Sequence, residues 1–388
     1  MKASTIRTET PQSAMQCAGL LRSCADEGVA VRIVGGETKA WGLPGDDYAV
    51  QLRTGALDAI VEHNEGDLTA VLQAGMPLRA LDEALASCGQ MLALDAPWGA
   101  DDAATVGGLI ATGDSGPLRH RYGAVRDLVL GVTVALSDGS LARSGGKVIK
   151  NVAGYDLAKL YSGSFGTLGL ICEVAVRLHA RPPAQATATG ATGDAGLLQH
   201  ATLALAASSL EAQALDVRWE DGAGAVLARF AGIAATGQAE AARVLLAGTG
   251  VEAACVEDDE PLWERQRSGQ RSSDGGAVIR VSGRPTRLAE VCDATRIAGA
   301  TMVGRAALGL SWIVLPAAAP GNLLTAVAKL RDVLAPCSCV VLDAPAPVRA
   351  HVDPWDRRDD SALALMRRVK QRFDPTATCN PAIFVGGI

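Results

Sequence analysis

The spacing of apolar positions along the chain changes between a helical period and a strand period. Residues 12–27 place apolar side chains near one face at helical spacing, and a mostly apolar strand follows over residues 29–34. The same patterns predict strands at 57–62, 68–74, 128–136 and 168–179, and a helix at 78–88. The first half of the chain is therefore predicted to mix short strands with helices.

A run rich in Ala, Thr and Gly follows Pro182 and Pro183 and predicts a domain boundary. Beyond it, strands are predicted at about 213–219, 224–231, 277–282, 308–315 and 338–343, with helices at about 237–247, 286–298 and 321–334. This order is typical of an α+β sheet covered by helices, and two ferredoxin-like halves are one arrangement that fits it. A last helix is predicted at about 361–372.

Four glycine-bearing stretches lie in the first half of the chain, at residues 34–42, 105–116, 151–156 and 166–171. Glycine permits positive φ and lets the main chain approach a ligand closely, so such turns can aim N–H groups at a phosphate-bearing cofactor. Pro44 and Gly45 stop a helix after the first turn, so no helix N-terminus is expected there. The nucleotide folds with G-x-G-x-x-G after a strand or G-x-x-x-x-G-K-[ST] are thereby disfavoured.

Composition narrows the classes of protein further. The chain has 388 residues, 48% of them hydrophobic, and a net charge of −6 with scattered basic residues, so we expect a globular protein that does not bind nucleic acid. No run of about 18 apolar residues predicts a membrane span. The nine cysteines are mostly single, and the five histidines show no metal-binding spacing, so no metal centre is expected.

Two adjacent motifs resemble a known family. KNVAGYDLAKL at residues 150–160 and GSFGTLG at residues 163–169 are similar to the vanillyl-alcohol-oxidase and p-cresol-methylhydroxylase type of FAD-binding protein. Within that superfamily they most resemble the FAD-binding subunits of bacterial glycolate oxidases, relatives of D-lactate and D-2-hydroxyglutarate dehydrogenases. The likeness extends to residues 121–123, 373–375 and 380–381.

The resemblance implies a domain plan and a cofactor. It implies a two-part FAD-binding domain at 1–180, an α+β ferredoxin-like cap at 181–350, and a C-terminal helix and tail at 351–388 that return toward the flavin domain. The residues implied to hold the pyrophosphate are Gly35, Gly36, Glu37, Thr38 and Lys39, the last as a supplementary point charge. Those implied to follow the dinucleotide toward the flavin are Thr105, Gly107, Gly108, Thr112, Gly113 and Ser115, and those along the adenosine side are Gly166, Gly169 and Ile171. Noncovalent FAD is expected because residues 35–41 contain no histidine.

The resemblance also implies an activity and partners. A small 2-hydroxy acid such as glycolate would be oxidised to the 2-keto acid, glyoxylate, and the electrons would pass to an iron–sulfur subunit in a complex with a second flavin subunit. Such chemistry needs a cation for the carboxylate and a group for the hydroxyl proton, for which Arg119 and Tyr155 are the candidates. We expect a cytoplasmic protein, either free or peripheral to the inner membrane through the complex.

Two alternatives stay open. Related dehydrogenases often carry a paired-histidine metal motif in the cap, whereas residues 181–388 hold only His200 and His351. The chain is therefore also a candidate for a non-catalytic electron-transfer and assembly subunit of that complex. An oxygen-using oxidase of the same fold is the second alternative.

Overall fold

The computed structural model describes residues 6–39, 41–42, 48–147, 156–272, 274–356 and 361–388. They form two compact units. Unit 1 takes in the described residues within 1–115, 122–181 and 357–388, and unit 2 takes in those within 116–121 and 182–356. The helix α4 (Arg119–Tyr122) lies where the chain passes from one unit to the other.

Unit 1 contains three groups of paired strands. The strands are β1 (Arg7–Glu9), β2 (Val31–Val34), β3 (Val50–Arg53), β4 (Ile60–Asn64), β5 (Thr69–Gln73), β6 (Gln90–Met91), β7 (Val129–Ala135), β8 (Leu141–Gly145), β9 (Leu170–Arg177) and β10 (His179–Ala180). Parallel strands form the order β1-β3-β2, antiparallel strands form the order β4-β5-β9-β7-β8, and β6 pairs with β10.

The helices of unit 1 surround these sheets. They are α1 (Ala14–Asp26), α2 (Leu78–Ala86), α3 (Val106–Thr112), α5 (Val125–Leu128), α6 (Ala158–Tyr161) and α13 (Leu363–Phe373). The side chain of Ser13 caps α1 by accepting from the N–H of Gln16, and the apolar face of α1 buries Cys17, Leu21 and Cys24. This face packs with β2, β3 and β9 into one core, which fixes the strand that leads into the first glycine turn.

Unit 2 is a single eight-stranded antiparallel sheet with helices. Its strands are β11 (Gln185–Thr192), β12 (Ala214–Glu220), β13 (Ala223–Ala231), β14 (Glu252–Val256), β15 (Ala277–Ser282), β16 (Thr301–Arg305), β17 (Leu310–Leu315) and β18 (Ser338–Asp343). Its helices are α7 (Ala195–Ala206), α8 (Ala235–Gly248), α9 (Glu260–Ser268), α10 (Leu288–Ile297), α11 (Pro320–Val333) and α12 (Ala346–Arg349).

The sheet of unit 2 repeats one motif twice. The strand order β14-β11-β13-β12 and the reversed order β16-β17-β15-β18 each belong to a β-α-β-β-α-β unit of ferredoxin-like type. The two halves join where β12 pairs with β16 over three residue pairs. Helices α7, α8, α10 and α11 cover one face, and their apolar side chains share a core with alternate residues of the strands.

The other face of this sheet buries charged residues. Asp216 on β12 and Arg305 on β16 have fully buried side chains 3.9 Å apart, and the guanidinium of Arg305 lies 4.3 Å from the ring centre of Trp312. Gln266 of α9 donates a 2.9 Å hydrogen bond to Asp216. Buried charges are tolerated when they are paired and hydrogen-bonded. Asp216, Arg305 and Gln266 therefore form a buried polar cluster on this face.

Candidate functional site

The first glycine turn follows β2 directly, as predicted. Glu37 holds a positive φ of 52°, and its carboxylate accepts a 2.6 Å bond from Arg53 and lies 3.3 Å from Arg32. Within the described residues, no acceptor meets the backbone N–H groups of Gly36, Glu37 and Thr38. Successive backbone N–H groups of a turn that have no protein acceptor are able to donate to a phosphate oxygen.

The glycines of this turn are required by a neighbouring segment of the chain. A Cβ at Gly36 would coincide with the carbonyl oxygen of Ala103, and a Cβ at Gly35 would overlap the hydroxyl of Thr105. The two glycines therefore let residues 35–36 lie against residues 103–105 without side-chain bulk. Close contact between protein segments, rather than room for a ligand, explains glycine at these two positions.

Residues 106–112 of the second glycine stretch form the helix α3, where the sequence predicted a glycine turn. Thr105 caps α3, with its hydroxyl accepting from the N–H of Gly108 at 3.2 Å. The N–H groups of Val106 and Gly107 donate to Met76 and Ala74. Because protein acceptors take these three donors, the start of α3 offers none of them to a phosphate.

A buried ion pair joins the first turn to the residues after α3. The amino group of Lys39 lies 3.8 Å from a carboxylate oxygen of Asp114, and their side chains are 5% and 1% exposed. Gly113 ends α3 in the left-handed conformation, Ser115 is buried, and the hydroxyl of Thr112 bonds back to Gly108. The negative charge of Asp114 therefore partly balances the positive charge of Lys39.

The residues just before the fourth glycine stretch pack against the end of α3. The N–H groups of Gly163 and Phe165 donate to Ile110 and Ala111 at 2.9 and 2.8 Å. Gly166 has a positive φ of 71°, and a Cβ there would meet the side-chain amide of Asn380 at 2.8 Å. Gly169 and Ile171 then lead into and along β9. The structure thus brings together the first, second and fourth stretches.

The C-terminal tail forms hydrogen bonds with β2 and with the residues around the fourth glycine stretch. The side chain of Asn380 accepts from the N–H of Ile33 at 2.6 Å and donates to Phe165 at 2.7 Å. The amino group of Lys370 donates to Thr167 at 2.7 Å and to the buried carboxylate of Asp374 at 2.6 Å. No sequence argument assigned roles to these residues, although Asn380 lies in a motif that carries the resemblance.

Only one of the two catalytic candidates, Arg119, lies among the described residues. Arg119 is a half-buried residue of α4, and the neighbouring Arg121 forms an exposed ion pair with Glu211 at 3.3 Å. Tyr155 and the rest of the third glycine stretch up to residue 155 lie outside the described residues. Beside α4, the ring of Tyr122 lies 4.5 Å from that of His179, and burial together with Arg177 lowers the pKa of this histidine.

Part of the chain is similar in sequence to known proteins. Residues 7–145 match a family model described as FAD binding domain. The glycolate oxidase subunit GlcE of Escherichia coli is 42% identical over 125 residues, which are 32% of this chain and 35% of that protein. The mitochondrial D-lactate dehydrogenase (cytochrome) 1 of Saccharomyces cerevisiae is 32% identical over 183 residues, which are 46% of this chain and 30% of that protein.

The matched segments thus cover about a third of each of these relatives. A solved alkyldihydroxyacetonephosphate synthase superposes with a TM-score of 0.74 at 15% identity, covering 96% of this chain and 76% of that one, which is a likeness of fold. Among the described residues, no helix has the length and apolar character needed to cross a membrane.

Proposed function

We propose that the chain is the FAD-binding subunit of a glycolate oxidase complex, because residues 7–145 match a family model described as FAD binding domain and 125 residues of this chain are 42% identical to a glycolate oxidase subunit. It oxidises a small 2-hydroxy acid such as glycolate to the 2-keto acid and passes two electrons to a partner iron–sulfur subunit. The observation that carries the proposal is the donor set of Gly36, Glu37 and Thr38, held in place by β2, Ala103 and the tail.

The residues that would hold FAD follow from these contacts. The N–H groups of residues 36–38 bind pyrophosphate oxygens, and Lys39 adds positive charge that Asp114 partly balances. The segments at 105–115 and 166–171 follow the dinucleotide toward its flavin and adenosine ends, as the resemblance implies. Residues 35–39 offer no histidine for a covalent link, so FAD is held noncovalently.

Arg119 and Tyr155 are the residues we assign to the substrate. The guanidinium of Arg119 binds the carboxylate and fixes the orientation of the 2-hydroxyl, and the phenol of Tyr155 hydrogen-bonds that hydroxyl. When bound, FAD supplies the two-electron acceptor for oxidation at the carbon that bears the hydroxyl. The oxidation releases two electrons and two protons per substrate molecule, and the electrons leave to the iron–sulfur partner.

A second function is favoured by one observation in unit 2. His200 and His351 are both exposed, and they lie on α7 and after α12. Residues 181–388 hold no other histidine, so their sequence carries no paired-histidine motif for a metal-assisted substrate site. This favours an electron-transfer and assembly subunit, in which a partner subunit binds the substrate.

One experiment distinguishes the two functions. The purified chain with its FAD is mixed with glycolate in the absence of oxygen, and the visible absorption of the flavin is recorded. Bleaching at a rate that depends on glycolate supports substrate oxidation by this chain. Flavin that stays oxidised, but bleaches when the partner subunits are added, shows the electron-transfer role. Peroxide formed from glycolate and air without any partner would instead identify an oxygen-using oxidase.

The cofactor assignment has its own test. Acid precipitation of the yellow protein should release all FAD into the supernatant. A washed pellet that stays yellow contradicts noncovalent binding, and a native chain that is colourless and binds no added FAD contradicts the whole proposal.

A further inference from the structure

Three potential metal ligands from separate segments of unit 1 meet at one place on its surface. They are His63 at the end of β4, Glu65 in the turn that follows, and Cys88 in the turn between α2 and β6. One ligand atom from each lies within 4.8 Å of the others, and the Cys88 sulfur is 3.3 Å from a carboxylate oxygen of Glu65. We propose that His63, Glu65 and Cys88 bind a zinc ion.

The distances suit a small cation after minor adjustment. Zinc bonds of about 2.0–2.3 Å place tetrahedral ligand atoms roughly 3.3–3.8 Å apart. The Cys88 sulfur and the Glu65 carboxylate oxygen already have that separation, at 3.3 Å. The other pairs of ligand atoms lie within 4.8 Å and need to close by at most about 1–1.5 Å, which side-chain rotation supplies. A metal at this place accepts a thiolate, an imidazole and a carboxylate, and leaves one position for water.

A buried amide positions two of the three ligands. Gln90 is 6% exposed, and its side-chain oxygen lies 2.9 Å from Nε2 of His63 while its amide nitrogen donates to the backbone carbonyl of Glu65 at 3.0 Å. A hydrogen bond from Nε2 of His63 to Gln90 leaves Nδ1 without its proton and able to bind a metal. This is the second-shell arrangement that fixes the tautomer and orientation of metal-binding histidines.

The kind of metal follows from the ligand atoms. A thiolate beside an imidazole disfavours magnesium and calcium, which prefer oxygen ligands, and favours zinc. The site is open to solvent because His63 and Cys88 are only half-buried, so an ion can enter it in the folded protein. Zinc would join the β4–β5 turn to the end of α2. Residue spacing could not indicate this site, because position 88 is far from 63 and 65 along the chain.

The test uses the full-length FAD-loaded protein after treatment with a chelator. Calorimetric titration with Zn²⁺ should show one ion per chain, and Cd²⁺ should produce ultraviolet absorption from a metal–thiolate bond. In Cys88→Ser and His63→Gln, zinc affinity should fall by more than the roughly 10–100-fold expected for losing a second-shell partner, with no change in bound FAD. The matched control is Cys255→Ser, which alters an exposed thiol that lies next to Glu240 and should leave zinc binding unchanged.

Two outcomes overturn the site. Wild-type protein that takes up no zinc at micromolar concentrations has no such site. Equal zinc uptake by wild-type, Cys88→Ser and His63→Gln proteins places the metal elsewhere. Circular dichroism of each variant establishes that it is folded, so a loss of binding reports the ligands themselves.

Discussion

At the scale of single residues, two features define the first glycine turn. Among the described residues no protein acceptor meets the N–H groups of residues 36–38, and the carbonyl of Ala103 fills the space where Gly36 would carry a Cβ. A larger side chain at Gly36 should therefore disturb the packing against Ala103, whether or not a ligand is bound. Sequence reasoning found the position and assigned its glycine to the ligand, because neighbouring backbone cannot be seen in a sequence.

Gly36→Ala should lower both stability and FAD content. The added methyl group pushes residues 103–105 away, and overpacking of this kind costs about 1–3 kcal/mol of unfolding free energy. Urea unfolding and the ratio of flavin to protein absorbance measure the two effects. Gly55→Ala is the control, because nothing lies within 4 Å of a Cβ there. Equal behaviour of the two variants would contradict the contact with Ala103.

Arg119→Met should impair turnover of glycolate more than Arg121→Met. Loss of a charge-assisted hydrogen bond to the substrate carboxylate costs about 2 kcal/mol, which lowers kcat/KM roughly 30-fold. Arg121 lies on the same short helix but is exposed and paired with Glu211, so its substitution should change kcat/KM little. Steady-state kinetics with the assembled complex measures both. Similar values for the two variants would remove Arg119 from the substrate site.

His179 should make stability depend on pH. Burial first, and the charge of Arg177 second, lower the pKa of His179 in the folded state. Below its ordinary pKa of about 6.5, the unfolded chain binds a proton that the folded chain does not, so stability falls as pH drops from about 7 toward 5. His179→Phe should show a smaller loss over that range in thermal melts. The exposed His200→Gln should keep the wild-type loss, and an unchanged profile in His179→Phe would contradict this account.

At the scale of elements, α13 and the tail after it connect separate segments of unit 1 through hydrogen bonds. Residue 379 forms a parallel bridge with Val31, and Lys370 of α13 donates to Thr167, Asp374 and Cys379. These contacts hold β2 and the fourth glycine stretch in one place. The tail therefore belongs to the cofactor domain by its contacts, although it is the last segment in the chain.

Lys370→Met should loosen the tail. Breaking the pair leaves the buried carboxylate of Asp374 without its cation, which costs about 3–5 kcal/mol. Hydrogen exchange should then rise at residues 31–36 and 376–380, and bound FAD should decrease. Arg368→Met, an exposed position on the same helix, serves as the control and should exchange like the wild type. Protection retained at residues 31–36 in Lys370→Met would contradict the role given to the tail.

Elements with strong apolar periodicity were predicted well, and those built from small residues were not. The predicted helix at 12–27 and the strand pair at 57–62 and 68–74 correspond to α1, β4 and β5. The run read as a boundary contains β11 and leads into α7, because its Ala, Thr and Gly residues carry little periodic signal. The helix α3 was missed because two glycines lower helix propensity by about 1 kcal/mol each. Packing requires one of them, since a Cβ at Gly107 would meet Ala74 at 2.7 Å.

At the scale of the whole molecule, the predicted α+β fold class is confirmed, and residues 7–145 match the family model described as FAD binding domain. Unit 2 also consists of two ferredoxin-like halves, one arrangement that fits the elements predicted from the sequence. The glycine turn after β2 was predictable from the sequence, whereas its binding of FAD stays a prediction. Contacts between distant positions, such as Lys39 with Asp114 and Ile33 with Asn380, could not be read from spacing because tertiary packing alone creates them.

A chain that ends at residue 356 should lose the cofactor domain and keep the other. It lacks Lys370 and Asn380, whereas unit 2 retains its sheet and the helices that cover it. Hydrogen exchange should be fast throughout residues 6–115 and stay slow in β12, β13, β15 and β17. FAD binding at wild-type affinity by the shortened chain would contradict this division.

The bond between Ile33 and Asn380 joins positions 347 residues apart. During synthesis, the strand that leads into the first glycine turn emerges from the ribosome long before Asn380 does. Unit 2 can fold while translation continues, but this turn lacks its tail contact until residues 370–380 have emerged. If the turn binds FAD as proposed, nascent chains stalled before the tail should remain apoprotein.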